Sequence, residues 1–167
     1  MLLCIVLCII FIVSCNDKHE GTIITPDAPP KEDLISNILT NCDTIAYNAL
    51  LFYYPDDFTI LPMAIHMAEH QEYGRAYSDL FYTFYSVFND NSVPIDSITQ
   101  NHMLFYLEKG IELKDTDCVW IMSKLYMTGT FVEKDTILAK KYLMIVFSQN
   151  DIESLYWPLL KNGTKNM

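Results

Sequence analysis

The sequence predicts an all-α domain, a short α/α solenoid of about three helical hairpins. Three observations carry this reading. From Lys31 onward the apolar residues recur at three- and four-residue spacing, the period of helices with one buried face. Cap residues and breakers interrupt that pattern at regular intervals. No alternating apolar run is bracketed by an Asn-Gly or Asp-Gly turn, so strand signals are poor.

The elements follow in order. Asp43 is placed to cap a helix running through Ala46, Ala49, Leu50 and Tyr53, which ends at Pro55-Asp56-Asp57. A second helix begins near Leu61-Pro62, because a proline in the first turn gives up an N–H that has no intrahelical partner. It runs to about Glu72, and a third runs from Tyr73 to Phe88. Asn89 to Pro94 reads as a loop rich in turn residues. Ser97-Ile98-Thr99-Gln100 matches a capping box for a helix through Leu113. Asp115 starts a helix ending near Gly129, Asp135 starts the next, and Asp151 is expected to cap a short terminal one. Short breaks between amphipathic helices make antiparallel neighbours.

Composition narrows the functional classes. The chain has 167 residues, 51% of them hydrophobic, which suits one modest domain and is too apolar for a disordered acidic chain. It carries 21 acidic residues against 11 basic ones, and Arg75 is the sole arginine. A net charge of −10 repels a phosphate backbone, so nucleic acid is excluded as a partner. Three of the five cysteines fall in the first fifteen residues. The remaining two, Cys42 and Cys118, make neither a disulfide framework nor a paired-cysteine zinc pattern.

Leu2 to Val13 is a run of twelve apolar residues, shorter than a membrane-spanning helix and suited to the core of a signal peptide. The stretch Ile12-Val13-Ser14-Cys15 resembles the bacterial lipobox, although no Lys or Arg precedes it. That resemblance implies removal of residues 1–14, lipidation of Cys15, and a protein anchored in a bacterial cell-envelope membrane on its periplasmic or surface-facing side. Residues 15–33, with Pro26, Pro29 and Pro30, read as a flexible linker between the anchor and a domain over 34–167.

The later half of the chain carries an internal pattern. Tyr106 to Asp115 leads into Cys118, then Leu125-Tyr126, Gly129, Val132, Asp135, Ala139 and Tyr142-Leu143. This resembles the Sel-like repeat, a relative of the tetratricopeptide repeat. The resemblance assigns Cys118 the small residue opening helix A, Gly129 and Val132 the loop, Asp135 the cap, and Ala139 with Tyr142 helix B. A preceding copy opens at Ala76, with Leu80 and Phe84 on its packing face, and Tyr106-Leu107 at the helix B position. A more divergent copy opens at Ala46, with Ala64 and Ala68 in its helix B. Cys42 and Cys118 then lie two repeats apart, too far to bond. Such a fold implies protein–protein interaction and no catalysis, and it calls for no cofactor.

Two features bear on chemistry. His66, Glu69 and His70 form H-x-x-E-H, the order found in inverted zinc metallopeptidases, where two histidines on one helix face hold zinc and the glutamate is the base. The repeat phase instead aligns His66 and His70 with Glu108 and Glu112 on a solvent face, and Ala68 with the small Gly110. A zinc-dependent hydrolase is therefore the alternative reading. Aromatic residues are dense between Tyr47 and Phe88, and Tyr77, Phe81, Tyr85 and Phe88 share one stripe. A stripe at this spacing suits a helix core. The Sel-like resemblance adds that Phe81 and Ser123 stand where the family places glycine, which argues for a partner-binding groove. The expected function is a lipid-anchored interaction protein: a scaffold, an assembly factor or an immunity-type binder that neutralises a toxin.

Overall fold

The structure, a computed structural model, describes residues 27–55, 59–90, 94–156 and 158. The predicted signal segment and Cys15 lie outside the described residues. All regular structure among the described residues is helical. The helices are α1 (Lys31–Asn41), α2 (Thr44–Tyr53), α3 (Ile60–Gln71), α4 (Gly74–Asp90), α5 (Ser97–Glu112), α6 (Thr116–Thr128) and α7 (Thr136–Leu143). A single turn, α8 (Gln149–Asp151), then passes into a π-helical turn over Ile152–Tyr156.

Aspartates start four of these helices. Asp43 accepts from the N–H groups of Ile45 and Ala46 at 2.8 and 3.1 Å, and Asp135 from those of Ile137 and Leu138, both at 2.9 Å. Asp115 accepts from the Cys118 N–H at 2.8 Å. Each such bond satisfies an orphan donor and stabilises by about 1 kcal/mol.

Two expected caps shift. Asp96, not Ser97, caps α5: one of its oxygens takes the N–H groups of Ile98 and Thr99, the other the Thr99 hydroxyl. The Gln100 amide bonds back to the Ile95 carbonyl at 2.9 Å. A carboxylate one residue upstream outcompetes the serine, because an ionised acceptor binds N–H donors more strongly than a hydroxyl does. At α8, Ser148 is the cap and Asp151 lies inside the first turn, its N–H bonded to the Ser148 oxygen. The helical region opens at Lys31, where the helical apolar spacing begins. Pro30 precedes the first turn of α1, and the Tyr54 hydroxyl fastens the Pro29 carbonyl at 2.9 Å.

The core is three linked clusters. The first joins Leu34 and Ile38 of α1 to Tyr47 and Leu50 of α2, Met63 and Met67 of α3, and Ala76 and Leu80 of α4. The second gathers Phe81, Met103, Leu107, Cys118, Met122 and Leu125 from α4, α5 and α6. The third closes the far end with Val119, Met127, Ala139, Leu143 and Ile152. Tyr77 packs against the first two clusters, and Ile111 and Tyr126 against the last two. The extensive interhelical contacts link helices adjacent or next-but-one in order, such as α4 with α5 and α4 with α6. At one close crossing, a Cβ on Gly110 would lie 2.2 Å from the Cys118 sulfur and 3.2 Å from the Tyr77 Cβ.

Candidate functional site

The aromatic stripe of α4 is mostly interior. Phe81 is only 3% exposed and packs among Met103, Leu107 and Met122, so the expected partner contact at this residue is corrected to a core role. The bulk of Phe81 fills the space between α4, α5 and α6. Its ring stacks on Tyr85 at 5.9 Å, and Tyr85 meets Phe131 edge-on at 6.2 Å. Tyr77 is half-buried, with its hydroxyl donating to the Ala68 carbonyl at 3.0 Å. Burial, with Glu72 nearby, raises the Tyr77 phenol above its ordinary value. Phe88 is half-buried near the end of α4. Ser123, at the other position where glycine was expected, is buried and donates to the Ala139 carbonyl at 2.7 Å.

Several of the positions assigned to the expected repeat are packed as well. Ala76, Cys118 and Ala139 are fully buried and Leu125 nearly so, while Tyr126 stacks on Tyr142 at 5.5 Å. Gly129 closes α6 at φ 80°, a conformation that suits a residue without Cβ. Cys118 is fully buried in the second cluster, and burial, helped by Asp115, pushes its thiol up, so this sulfur is a packing group.

Exposed aromatic surface lies elsewhere. Phe105 of α5 is 50% exposed and stands at the mouth of a cleft of about 350 Å³. Ile65, Ala68 and Glu69 of α3 form one wall, Phe105, Tyr106 and Lys109 of α5 the other, and Tyr77 and Leu80 of α4 the floor. Lys109 lies 5.9 Å from the centre of the Phe105 ring and is ion-paired with Glu112 at 2.7 Å, which raises its pKa. The cleft is apolar inside and carries one charge of each sign on its walls. On another face, Tyr82 is half exposed, and its phenol is raised by burial and by Asp117.

Two of the polar contacts between residues remote in sequence involve ionisable side chains on both sides. Tyr47, fully buried, donates to Asp79 at 2.9 Å, and the Arg75 Nε lies 3.7 Å from the same oxygen. Burial raises the Asp79 carboxyl, opposed by the Tyr47 hydrogen bond and Arg75 and reinforced by Asp117 and Asp115. The second contact joins Cys42, at the end of α1, to His66 of α3, with the sulfur 3.7 Å from Nε2. One turn along, the His70 ring centre lies 4.5 Å from that of His66. Glu69, by contrast, borders the cleft. Among the described residues, no three metal-ligating side chains stand together in a geometry that holds an ion. Both contacts span more than twenty residues of chain, so no short motif announces them. Cys42 and Cys118 are both free thiols. Comparison of this chain with protein-family profiles, with curated proteins and with solved structures finds no match.

Proposed function

We propose that this chain is a lipoprotein of a bacterial cell envelope, anchored through Cys15, whose Sel-like helical hairpins bind a protein or peptide partner. The observation that carries the reading is the apolar cleft between α3 and α5, with Phe105 half exposed at its mouth. Aromatic side chains beside an apolar depression supply contact area at low entropic cost, which is how interaction hot spots are built. The repeat reading draws support from buried Ala76 and Cys118 at the openings of α4 and α6 and from the close approach at Gly110. The fold leaves the partner's identity open among scaffold, assembly-factor and immunity-type roles.

The test is photo-crosslinking in living cells, with a crosslinking residue placed at Phe105 and, as a control, at exposed Leu113. A discrete adduct at Phe105 that fails to form at Leu113 is expected. In the same cells, Cys15→Ser should abolish incorporation of a labelled fatty acid and release the protein from membranes. Persisting label in Cys15→Ser would sink the anchor, and equal crosslinking at the two positions would sink the cleft.

A further inference from the structure

The binding cleft ends where two helix C-termini meet. α3 turns into α4 through Glu72, which sits in the left-handed region at φ 47°. The last turns of α5 cross the first turns of α4, where a Cβ on Gly110 would lie 3.2 Å from the Tyr77 Cβ. Tyr77 is also part of the cleft floor, so the ends of α3 and α5 converge on it. A helix C-terminus carries partial negative charge and is ordinarily matched by lysine or arginine. Here the last turn of α3 and its cap carry Glu69 and Glu72 instead, and the one basic side chain of that turn, His70, lies against His66. Among the described residues neither glutamate has an ion-pair partner, and both are exposed. The nearby cations are already engaged, Lys109 by Glu112 at 2.7 Å and Arg75 by Asp79 at 3.7 Å. The start of α4 has the opposite polarity, but Asp115 already stands beside Gly74 there. Burial raises the Tyr77 phenol, and Glu72, Glu112 and Glu69 raise it further against Lys109, so these carboxylates are felt at the floor.

We propose that the partner of this cleft is a polypeptide segment that seats a large apolar side chain between α3 and α5 and sets a lysine or arginine beside it against Glu69 and Glu72. This rests on the reading of the cleft as the partner site and adds what the partner must carry. The cleft, about 350 Å³, lies at the small end of ligand pockets, which run upward from about 300 Å³, so it takes a side chain or two and not a folded surface. Ile65, Ala68, Phe105 and Tyr106 on its walls suit an aliphatic or aromatic anchor. Carboxylates at a helix C-terminus oppose both one another and the helix dipole, and a cation from the partner relieves the two together. That pair is exposed, so the cation supplies specificity and association rate while the apolar anchor supplies the affinity. The same field rejects a segment flanked by aspartate or glutamate.

The experiment selects short random peptides, displayed on phage, against the purified full chain and then against its Phe105→Ala variant. Peptides that bind the parent and lose binding to Phe105→Ala are expected to share an apolar residue with lysine or arginine close to it. For those peptides, Glu69→Gln combined with Glu72→Gln should weaken binding by about three- to tenfold, as for two exposed ion pairs. Glu69→Lys combined with Glu72→Lys should turn the preference toward peptides flanked by aspartate or glutamate. Raising salt from about 0.01 to about 1 M, which shortens the screening length from roughly 30 to 3 Å, should erase the advantage of the basic flank and spare that of the apolar anchor. Circular dichroism of each variant shows that it remains helical. Phe105-dependent peptides without basic enrichment, or with affinity unchanged in the double glutamine variant, would overturn the charge pairing and leave the cleft standing. If no peptide depends on Phe105, the cleft reading fails and this inference falls with it.

Discussion

Gly110 and Cys118 show how little room a helix crossing leaves. A methyl group on Gly110 would overlap the Cys118 sulfur and press on the Tyr77 Cβ, and both neighbours belong to packed helices. Gly110→Ala should therefore cost about 1–3 kcal/mol in urea unfolding, despite alanine's better helix propensity. Combining it with Cys118→Ala should cost less than the two single changes summed, because the contact that clashes is gone. At the other buried polar site the argument runs through charge. Burial raises the Asp79 carboxyl, so the folded state holds its proton at a pH where the unfolded chain has lost it. Stability then falls as pH rises from the ordinary carboxylate value through the raised one. Asp79→Asn, whose carbonyl can still accept from Tyr47, should flatten melting temperature against pH across that window. A variant curve parallel to the parent's would refute the assignment.

At the scale of elements, the helix ends differ in how they meet the left-handed conformation. α6 ends on Gly129, but α1 and α3 end on Cys42 and Glu72, and α5 is followed by Lys114 at φ 59°. A side chain there costs roughly 1–2 kcal/mol, while glycine costs about 0.5–1 kcal/mol in chain entropy. Lys114 is exposed and makes no core contact. Lys114→Gly should accordingly raise the melting temperature by about 2–5 °C, measured by circular dichroism. Four helix starts obey a simpler rule, since an aspartate directly before the first turn takes the cap. That rule explains why Asp96 displaces Ser97.

For the whole molecule, the opposing demands are a continuous core and an acidic surface. No charge occurs in the first 14 residues, so the net −10 falls on the chain from Cys15 onward. Shared residues such as Tyr77 and Tyr126 keep the three clusters continuous while charge stays outside. The helices could be read from the sequence because their signals are local: apolar period, caps, and prolines in first turns act within four residues. Ala76, Cys118 and Ala139, small residues on the helices' apolar faces, come out fully buried. The site was harder to read. In the sequence Phe81 and Phe105 are both phenylalanines on amphipathic helices, yet one is core and the other lines a cleft. The face each presents depends on where α3 and α6 lie, and a helical period states that a face exists without saying what covers it. By itself the sequence determined the all-α class, most of the breaks between helices, and that the excess charge is negative. Only the tertiary structure decided that Phe81 is interior, that Tyr47 reaches Asp79, and that Cys42 meets His66. Those pairings join residues more than twenty apart, and close approach across that distance is set by packing the whole chain, not by any local preference.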